Sequence, residues 1–325
     1  MLNKKKILIR TDSSSSIGLG HLMRTLLLAQ GLKEKFEITF ATCSLFGNQN
    51  KLIAQNRFAH HHLQTMACQE LLDILTTIMP SLCIVDHYGI EMACETEIRK
   101  IAPLLVFDDE FKIHDTDMIL NHSFIADAKR YSYTNNTRIF AGNRYTLLKT
   151  NFFSSRDSFK TLGSLKNKKV LITLGGSDPL ELSRRIKKSL LHIEKSFHVT
   201  IVTTSANARL KYLKTVEKEL IIDENDMASL MRDHDLIITS ASSSLLEAYA
   251  LKKPFIAIKC ASNQLETIRF LQTKKLVNVI EKFSLASLKK ALNFVQYRPN
   301  KLRRFLKEYN FKKSDVFKEI EDAYN

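Results

Sequence analysis

Residues 10–24 read Arg-Thr-Asp-Ser-Ser-Ser-Ser-Ile-Gly-Leu-Gly-His-Leu-Met-Arg and combine an anion-binding pattern with a titratable side chain. Gly18 and Gly20 allow the backbone to turn sharply and to approach a ligand closely. An apolar run, Ile7–Ile9, precedes the segment and an apolar helical pattern follows it, so the string reads as strand, loop and helix start. A helix start offers free N–H groups and a positive dipole end to an anion such as a diphosphate. His21 then falls in the first helical turn, where an imidazole can act as a base near neutral pH. Position 23 is Met, so the string is not the Gly-x-Gly-x-x-Gly dinucleotide fingerprint, and no Gly-Lys-Ser P-loop is present.

Other chemistry-bearing residues follow short apolar runs in the same way. Asp12 ends the first run, Asp86-His87-Tyr88-Gly89 the run at 82–85, Asp108-Asp109-Glu110 the run at 104–107, and Asn121-His122 the run at 118–120. In the second half Gly175-Gly176-Ser177-Asp178, Ser240–Ser244 with Glu247, and Ser262-Asn263-Gln264 hold equivalent places. Each string also has a purely structural reading. Gly175–Asp178 reads as a turn with a helix cap, and Ser240–Ser244 as capping alone. Glu247, three residues after Ser244, closes a capping box or accepts hydrogen bonds from two ribose hydroxyls. Asp86 either caps the next helix or pairs with a titrating neighbour. For Asp108–Glu110, turn and capping duties are favoured over a metal site. His60-His61-His62 reads as a polar loop or strand, because consecutive residues cannot all face one site.

These residues need a scaffold that gathers strand ends. The first half alternates strands (Ile7–Thr11, Ile38–Ala41, Leu82–Asp86, Leu104–Phe107, Met118–Asn121, Arg138–Ala141) with helical patterns at His21–Leu32, Glu70–Ile78 and Glu91–Ile101. The pattern restarts after a polar stretch, with strands at Val170–Thr173, Val199–Val202, Leu236–Thr239 and Phe255–Ile258. Helices fit Leu180–Leu191, Leu210–Leu220, Ser244–Ala250, Gln264–Gln272 and Leu285–Val295. The expected fold class is α/β: two doubly wound Rossmann-like domains facing a cleft, with ligands beyond the carboxyl ends of the strands. The expected boundaries are 1–149, a linker at 150–167, 168–300, and a helical tail at 301–325.

With 325 residues, 44% hydrophobic and 26% charged, the chain has an ordinary globular composition. No apolar run approaches the roughly 20 residues of a membrane span, so a cytoplasmic protein without membrane partners is expected. The net charge of +15 is spread thinly and no basic run is interleaved with aromatics. A basic solvated surface that gathers an anionic substrate is favoured over nucleic-acid binding. The five cysteines, at 43, 68, 83, 94 and 260, form no Cys-x-x-Cys and are expected as buried free thiols.

Taken together, the strings 10–24, Val85-Asp-His-Tyr-Gly-Ile90, Phe107-Asp-Asp-Glu110, Ile119-Leu-Asn121, 142–148, Gly175-Gly-Ser-Asp178 and Thr239-Ser-Ala-Ser-Ser-Ser-Leu-Leu-Glu-Ala248 closely resemble the UDP-2,4-diacetamido-2,4,6-trideoxy-β-L-altropyranose hydrolases of pseudaminic acid biosynthesis. They run in order from residue 7 to about 275. The resemblance implies a glycosyltransferase-B architecture, related to the transferase that adds N-acetylglucosamine to lipid I. It also implies a UDP-sugar substrate, no metal and no cofactor. It makes His21 the catalytic histidine and Tyr88 an active-site tyrosine. It places Glu247 on the uridine ribose, with Ser242, Ser243, Ser244, Asn263 and Gln264 around the diphosphate and sugar. Asp12, Gly18, Gly20, Gly175 and Gly176 complete the expected substrate site, and a monomer is expected. A UDP-sugar glycosyltransferase and a hydrolysing UDP-sugar 2-epimerase are the alternatives on the same fold. A nucleic-acid-binding protein is the alternative of another class.

Overall fold

Alternation of side chains along the first strand explains the layers around it. In β1 (Lys5–Thr11), Ile7 and Ile9 enter one apolar cluster and Leu8 enters another on the opposite face. A strand buried on both faces reads as a continuous apolar run and belongs inside a parallel sheet covered by helices on each side. The computed structural model describes residues 4–131, 136–153, 158–175, 178, 182–205, 207, 209–276, 278–308 and 314–324. It divides into two units, Met1–Leu147 with Lys312–Asn325, and Leu148–Phe311.

The first unit continues through α1 (Gly20–Leu32), β2 (Phe36–Cys43), α2 (Lys51–Gln55), β3 (Ala59–Leu63), α3 (Cys68–Ile78), β4 (Leu82–Asp86), α4 (Met92–Arg99), β5 (Leu104–Phe107), β6 (Met118–Asn121) and β7 (Arg138–Ala141). All seven strands are parallel, in the order β3-β2-β1-β4-β5-β6-β7. The order reverses between β1 and β4, where Thr11 pairs with Asp86. Chain segments leaving the two strands in opposite directions open a crevice at such a switch point. The His60–His62 string lies in β3, an edge strand exposed except at Leu63.

The second unit repeats the plan with β8 (Lys169–Thr173), α5 (Leu182–Ile193), β9 (His198–Thr203), α6 (Leu210–Val216), β10 (Leu220–Ile222), α7 (Met227–Arg232), β11 (Leu236–Ser240), α8 (Ser243–Ala250), β12 (Phe255–Ile258), α9 (Leu265–Thr273), β13 (Val279–Ile280), α10 (Leu285–Tyr297) and α11 (Pro299–Glu308). Its sheet is also parallel, in the order β10-β9-β8-β11-β12-β13. The helix expected over 210–220 stops at Val216, and Leu220–Ile222 pairs with β9 instead. Here sheet pairing overrides helical periodicity.

The C-terminal stretch 301–325 is shared between the units. α11 belongs to the second, whereas α12 (Val316–Tyr324) returns to the first. Val316, Phe317 and Ile320 enter the apolar cluster beneath α1. Arg138 and Arg144 pair with Glu319 and Asp315 at its rim.

The cysteine expectation is corrected at two positions. Cys68 and Cys94 form a disulfide, with Cα atoms 5.8 Å apart. They start α3 and lie in α4, two helices on the same face of the sheet, so the fold brings together residues that sequence spacing keeps apart. Cys43, Cys83 and Cys260 are free and buried.

Candidate active site

The loop after β1 turns at Gly18, whose φ of +82° lies in the left-handed region that favours glycine. Gly18 N–H donates to the Ser14 carbonyl over 2.8 Å, and Ser14 Oγ accepts from Ile17 N–H over 2.9 Å. Gly20 differs from expectation: it already begins α1 and needs no positive φ. The space a side chain there would take is empty. Leu19 occupies the N-cap of α1 and makes no side-chain cap bond. The N–H groups at this helix start therefore remain available to an anion.

His21 follows in that turn. Its Nδ1 lies 2.5 Å from Asp86 Oδ1, at the carboxyl end of β4. Nδ1–H donating to a carboxylate leaves the Nε2 lone pair outward, which is the tautomer a general base needs. Among the described residues Nε2 has no hydrogen-bond partner. Arg24, one turn later on the same helix face, binds both Asp86 oxygens at 2.5 and 2.6 Å. Its Nη1 also donates to Asp109 Oδ2 over 3.0 Å and to His122 Nε2 over 3.3 Å. Tyr88 is 45% exposed and sets its ring edge against His21, with centroids 4.6 Å apart. The Tyr88 hydroxyl donates to Asp109 Oδ1 over 2.8 Å.

Charge fixes the ionisation of this network. Burial opposes the Asp86 anion, but Arg24 and His21 outweigh it and hold the carboxyl well below the usual range. Burial likewise opposes the Arg24 cation, and Asp86 and Asp109 overcome that opposition. His122 is neutral: burial and the adjacent Arg24 push it down to about 4. Asp86 therefore orients His21 rather than capping α4, whose N-cap is Glu91.

Asp12 departs from its expected ligand role. It is 1% exposed and its carboxylate is spent inside the protein. Oδ2 accepts from Arg10 over 2.8 Å and lies 3.1 Å from His87 Nε2, and Oδ1 accepts from Cys43 N–H over 2.7 Å. Burial opposes the anion here too, yet His87, Arg10 and Cys43 lower it to about 2. Asp12 ties the end of β1 to β2 and to the Tyr88 turn.

In the second unit the equivalent switch point lies between β8 and β11. Gly175 turns there with φ +94°, and Gly176 lies outside the described residues. Asp178 caps α5, accepting from Leu182 N–H over 3.0 Å and from Ser183. Across the switch, Ser242 is the N-cap of α8 but makes no side-chain cap bond; its Oγ meets Ser240 Oγ at 2.7 Å. Ser243 is exposed and Ser244 half-buried at the helix start. The capping box through Glu247 does not form. Its carboxyl has no hydrogen-bond or ion-pair partner among the described residues. Burial pushes it up to about 7, with Lys149 opposing. The Gln264 side-chain carbonyl accepts from Cys260 N–H over 2.8 Å, which orients its amide group. Asn263 lies in the short helical turn Ser262–Gln264 that precedes α9; its side chain lies outside the described residues.

Asp108 performs the turn duty expected of it, accepting from Glu110 N–H over 2.8 Å and Lys112 N–H over 3.1 Å. Among the described residues no group of three or more His, Cys, Asp or Glu side chains is arranged to hold a metal ion, and no helix is long and apolar enough to cross a membrane. Arg24, Asp109 and His122 join the network around His21 and Asp86, and the sequence assigned them no role in catalysis. The i, i+3 spacing of His21 and Arg24 was a signal for the first.

No protein-family model matches the chain. It is 33% identical over 278 residues to the UDP-2,4-diacetamido-2,4,6-trideoxy-β-L-altropyranose hydrolase of Campylobacter jejuni, covering 83% of this chain and 97% of that protein. It is 27% identical over 279 residues to the spore coat polysaccharide biosynthesis protein SpsG of Bacillus subtilis, covering 80% of this chain and 79% of that protein. Among solved structures it resembles MurG of Acinetobacter baumannii, with a TM-score of 0.62, 11% identity, and coverage of 98% of this chain and 99% of that one. That likeness gives the fold, which is of the glycosyltransferase-B type.

Proposed function

The chain belongs to the family of the UDP-2,4-diacetamido-2,4,6-trideoxy-β-L-altropyranose hydrolases, and from that premise we propose that it hydrolyses that UDP-sugar to UDP and the free 2,4-diacetamido-2,4,6-trideoxy-L-altrose. The observation that carries the reading is the His21–Asp86 pair at the start of α1, with Nε2 lacking a hydrogen-bond partner among the described residues. In the proposed step Nε2 takes a proton from water, and the water oxygen attacks the anomeric carbon on the face opposite UDP. The anomeric C–O bond breaks and its electron pair leaves with UDP. Asp86 stabilises the imidazolium that forms, and Arg24 keeps Asp86 ionised and in place. In this reading Glu247 takes ribose hydroxyls, and the loop Ser242–Ser244 and the Gly175 turn take the diphosphate. Helix-start N–H groups stabilise the departing charge, so the proposed reaction runs without a metal. With His21 as the base and UDP as a good leaving group, the proposed step is a single displacement with inversion.

A panel of UDP-sugars incubated in ¹⁸O-labelled water with EDTA tests the reading. UDP release without any acceptor, label in the sugar and the inverted anomer first are expected. His21→Asn should lower kcat by about 10²–10⁴-fold with UDP affinity retained. Label in UDP, a retained first anomer, or dependence on an added sugar acceptor overturns the hydrolytic reading; loss of turnover in EDTA restored by Mg²⁺ overturns its metal-free form.

A further inference from the structure

Asp109 joins two groups of the site, Arg24 and Tyr88, yet it stands on a loop whose shape is not locally favoured. Phe111, two residues on, has φ +57°, in the left-handed region that a bulky side chain avoids. The loop is fastened from below. The Asp108 carboxylate gathers the amides of Glu110 and Lys112, over 2.8 and 3.1 Å. Tyr131 donates its hydroxyl to the Asp108 carbonyl over 3.2 Å. Beneath Asp108 lies His114, its side chain 10% exposed. His114 Nδ1 is 2.7 Å from Glu95 Oε1 on α4, and its buried Nε2 is 3.8 Å from Asp108 Oδ2. The second Glu95 oxygen accepts from Asp115 N–H over 2.9 Å, and Thr96 and Arg99 of α4 hold the Asp115 carboxylate. Glu95 is 1% exposed and Asp108 4% exposed. Two buried carboxylates thus flank one imidazole, and each needs a partner charge.

We propose that His114 is a positioning residue for the hydrolysis: as an imidazolium between Glu95 and Asp108 it locks the 108–115 loop, so that Asp109 holds Tyr88 and Arg24 against His21. The inference rests on the catalytic reading of His21 given above. His114 itself touches no reacting atom in that reading. Burial alone would discharge the ring, but Asp108 and Glu95 overcome it and raise it to about 9. The charged form is therefore complete below that pH and lost as pH rises through it. Discharge removes the cation facing Asp108 while Nδ1–H still serves Glu95. The loop, rather than the whole unit, is released.

The experiment combines kcat–pH profiles with ¹³C NMR titration of the histidine rings, in wild type, Glu95→Gln and His114→Gln. Wild type should lose kcat above about pH 9, with the His114 ring titrating over the same range. Glu95→Gln removes one of the two anions, and both midpoints should move to lower pH by at least about one unit. His114→Gln should abolish the limb and lower kcat at pH 7 by about 10–100-fold, with KM nearly unchanged. Should His114→Gln not fold, the shift in Glu95→Gln carries the test. A His114 ring that titrates at or below pH 6.5 overturns the proposal. So does a His114→Gln enzyme with wild-type kcat and profile. The ring titration needs no substrate, so failure of the hydrolytic reading shows in the turnover assay and failure of this inference shows in the spectra.

Discussion

Glu247 gives a prediction that can be worked through in numbers. Its carboxyl is held up to about 7 by burial, with Lys149 the opposing charge. Two ribose hydroxyls donating to it would favour the ionised form and return it to the ordinary carboxylate range. UDP then binds the ionised enzyme, and the protonated fraction must release its proton first. The sign follows: affinity is full above pH 7 and falls as pH drops below it. With one group at 7, apparent affinity should be about tenfold weaker at pH 6 than at pH 8, and about half a proton should be released per UDP bound at pH 7. Calorimetry in buffers of different ionisation enthalpy reads both quantities. UDP contributes its own phosphate ionisation, so the decisive quantity is wild type minus Glu247→Gln. The amide keeps an acceptor oxygen and the size of the side chain but does not titrate. It should also bind UDP more weakly at pH 8 by about 1.5–3 kcal/mol, the worth of a hydrogen bond to a charged group. Parallel curves for wild type and Glu247→Gln, with equal proton release, would refute the assignment of Glu247 to the ribose.

Two further outcomes probe the scaffold. Reducing the Cys68–Cys94 disulfide, which spans 26 residues, should lower the stability of the first unit by about 3.5 kcal/mol by the loop-closure relation; intact-mass measurement after alkylation, with and without reductant, must show two additional blocked thiols accompanying the fall in Tm. Gly31→Ala should destabilise that unit by about 1–3 kcal/mol, because the new Cβ would overlap the Phe317 ring of α12; Phe317→Leu in the same chain should recover part of the loss, and an unchanged Tm for Gly31→Ala would count against the docking of α12 on α1.

The strands were legible where both faces are buried. β4, β5 and β6 are short runs with every residue buried, and their observed bounds coincide with the strands read from the sequence. β3 was ambiguous for the opposite reason. Its three consecutive histidines are exposed on an edge, with no apolar face to mark a strand. The first of them, His60, has its Nε2 2.8 Å from Thr42 Oγ1 on the neighbouring strand, a contact visible only after pairing is known. The disulfide was hidden in the same way, since α3 and α4 become neighbours only once both pack on the same face of the sheet.

The candidate site shows why its members were easier to name than to connect. His21 and Asp86 stand 65 residues apart, and they meet because β1 and β4 are neighbours at the point where strand order reverses. Local sequence names both residues, and only topology makes them a pair. Asp12 and Glu247 show the other half of the problem. Both are acidic residues close to strand ends, and sequence assigned both to the ligand. Asp12 has every obvious partner inside the fold, including the backbone N–H of Cys43 on β2, so its charge stabilises the junction of β1 and β2. Glu247 has none among the described residues and is held near neutrality by burial. A half-buried carboxyl without a partner among the described residues is partly desolvated in the empty protein, and a ligand that donates two hydroxyls would offset that cost on binding. Satisfaction of hydrogen-bonding groups, rather than residue type or position along the chain, therefore separates the acid that builds the scaffold from the acid proposed to take the ribose.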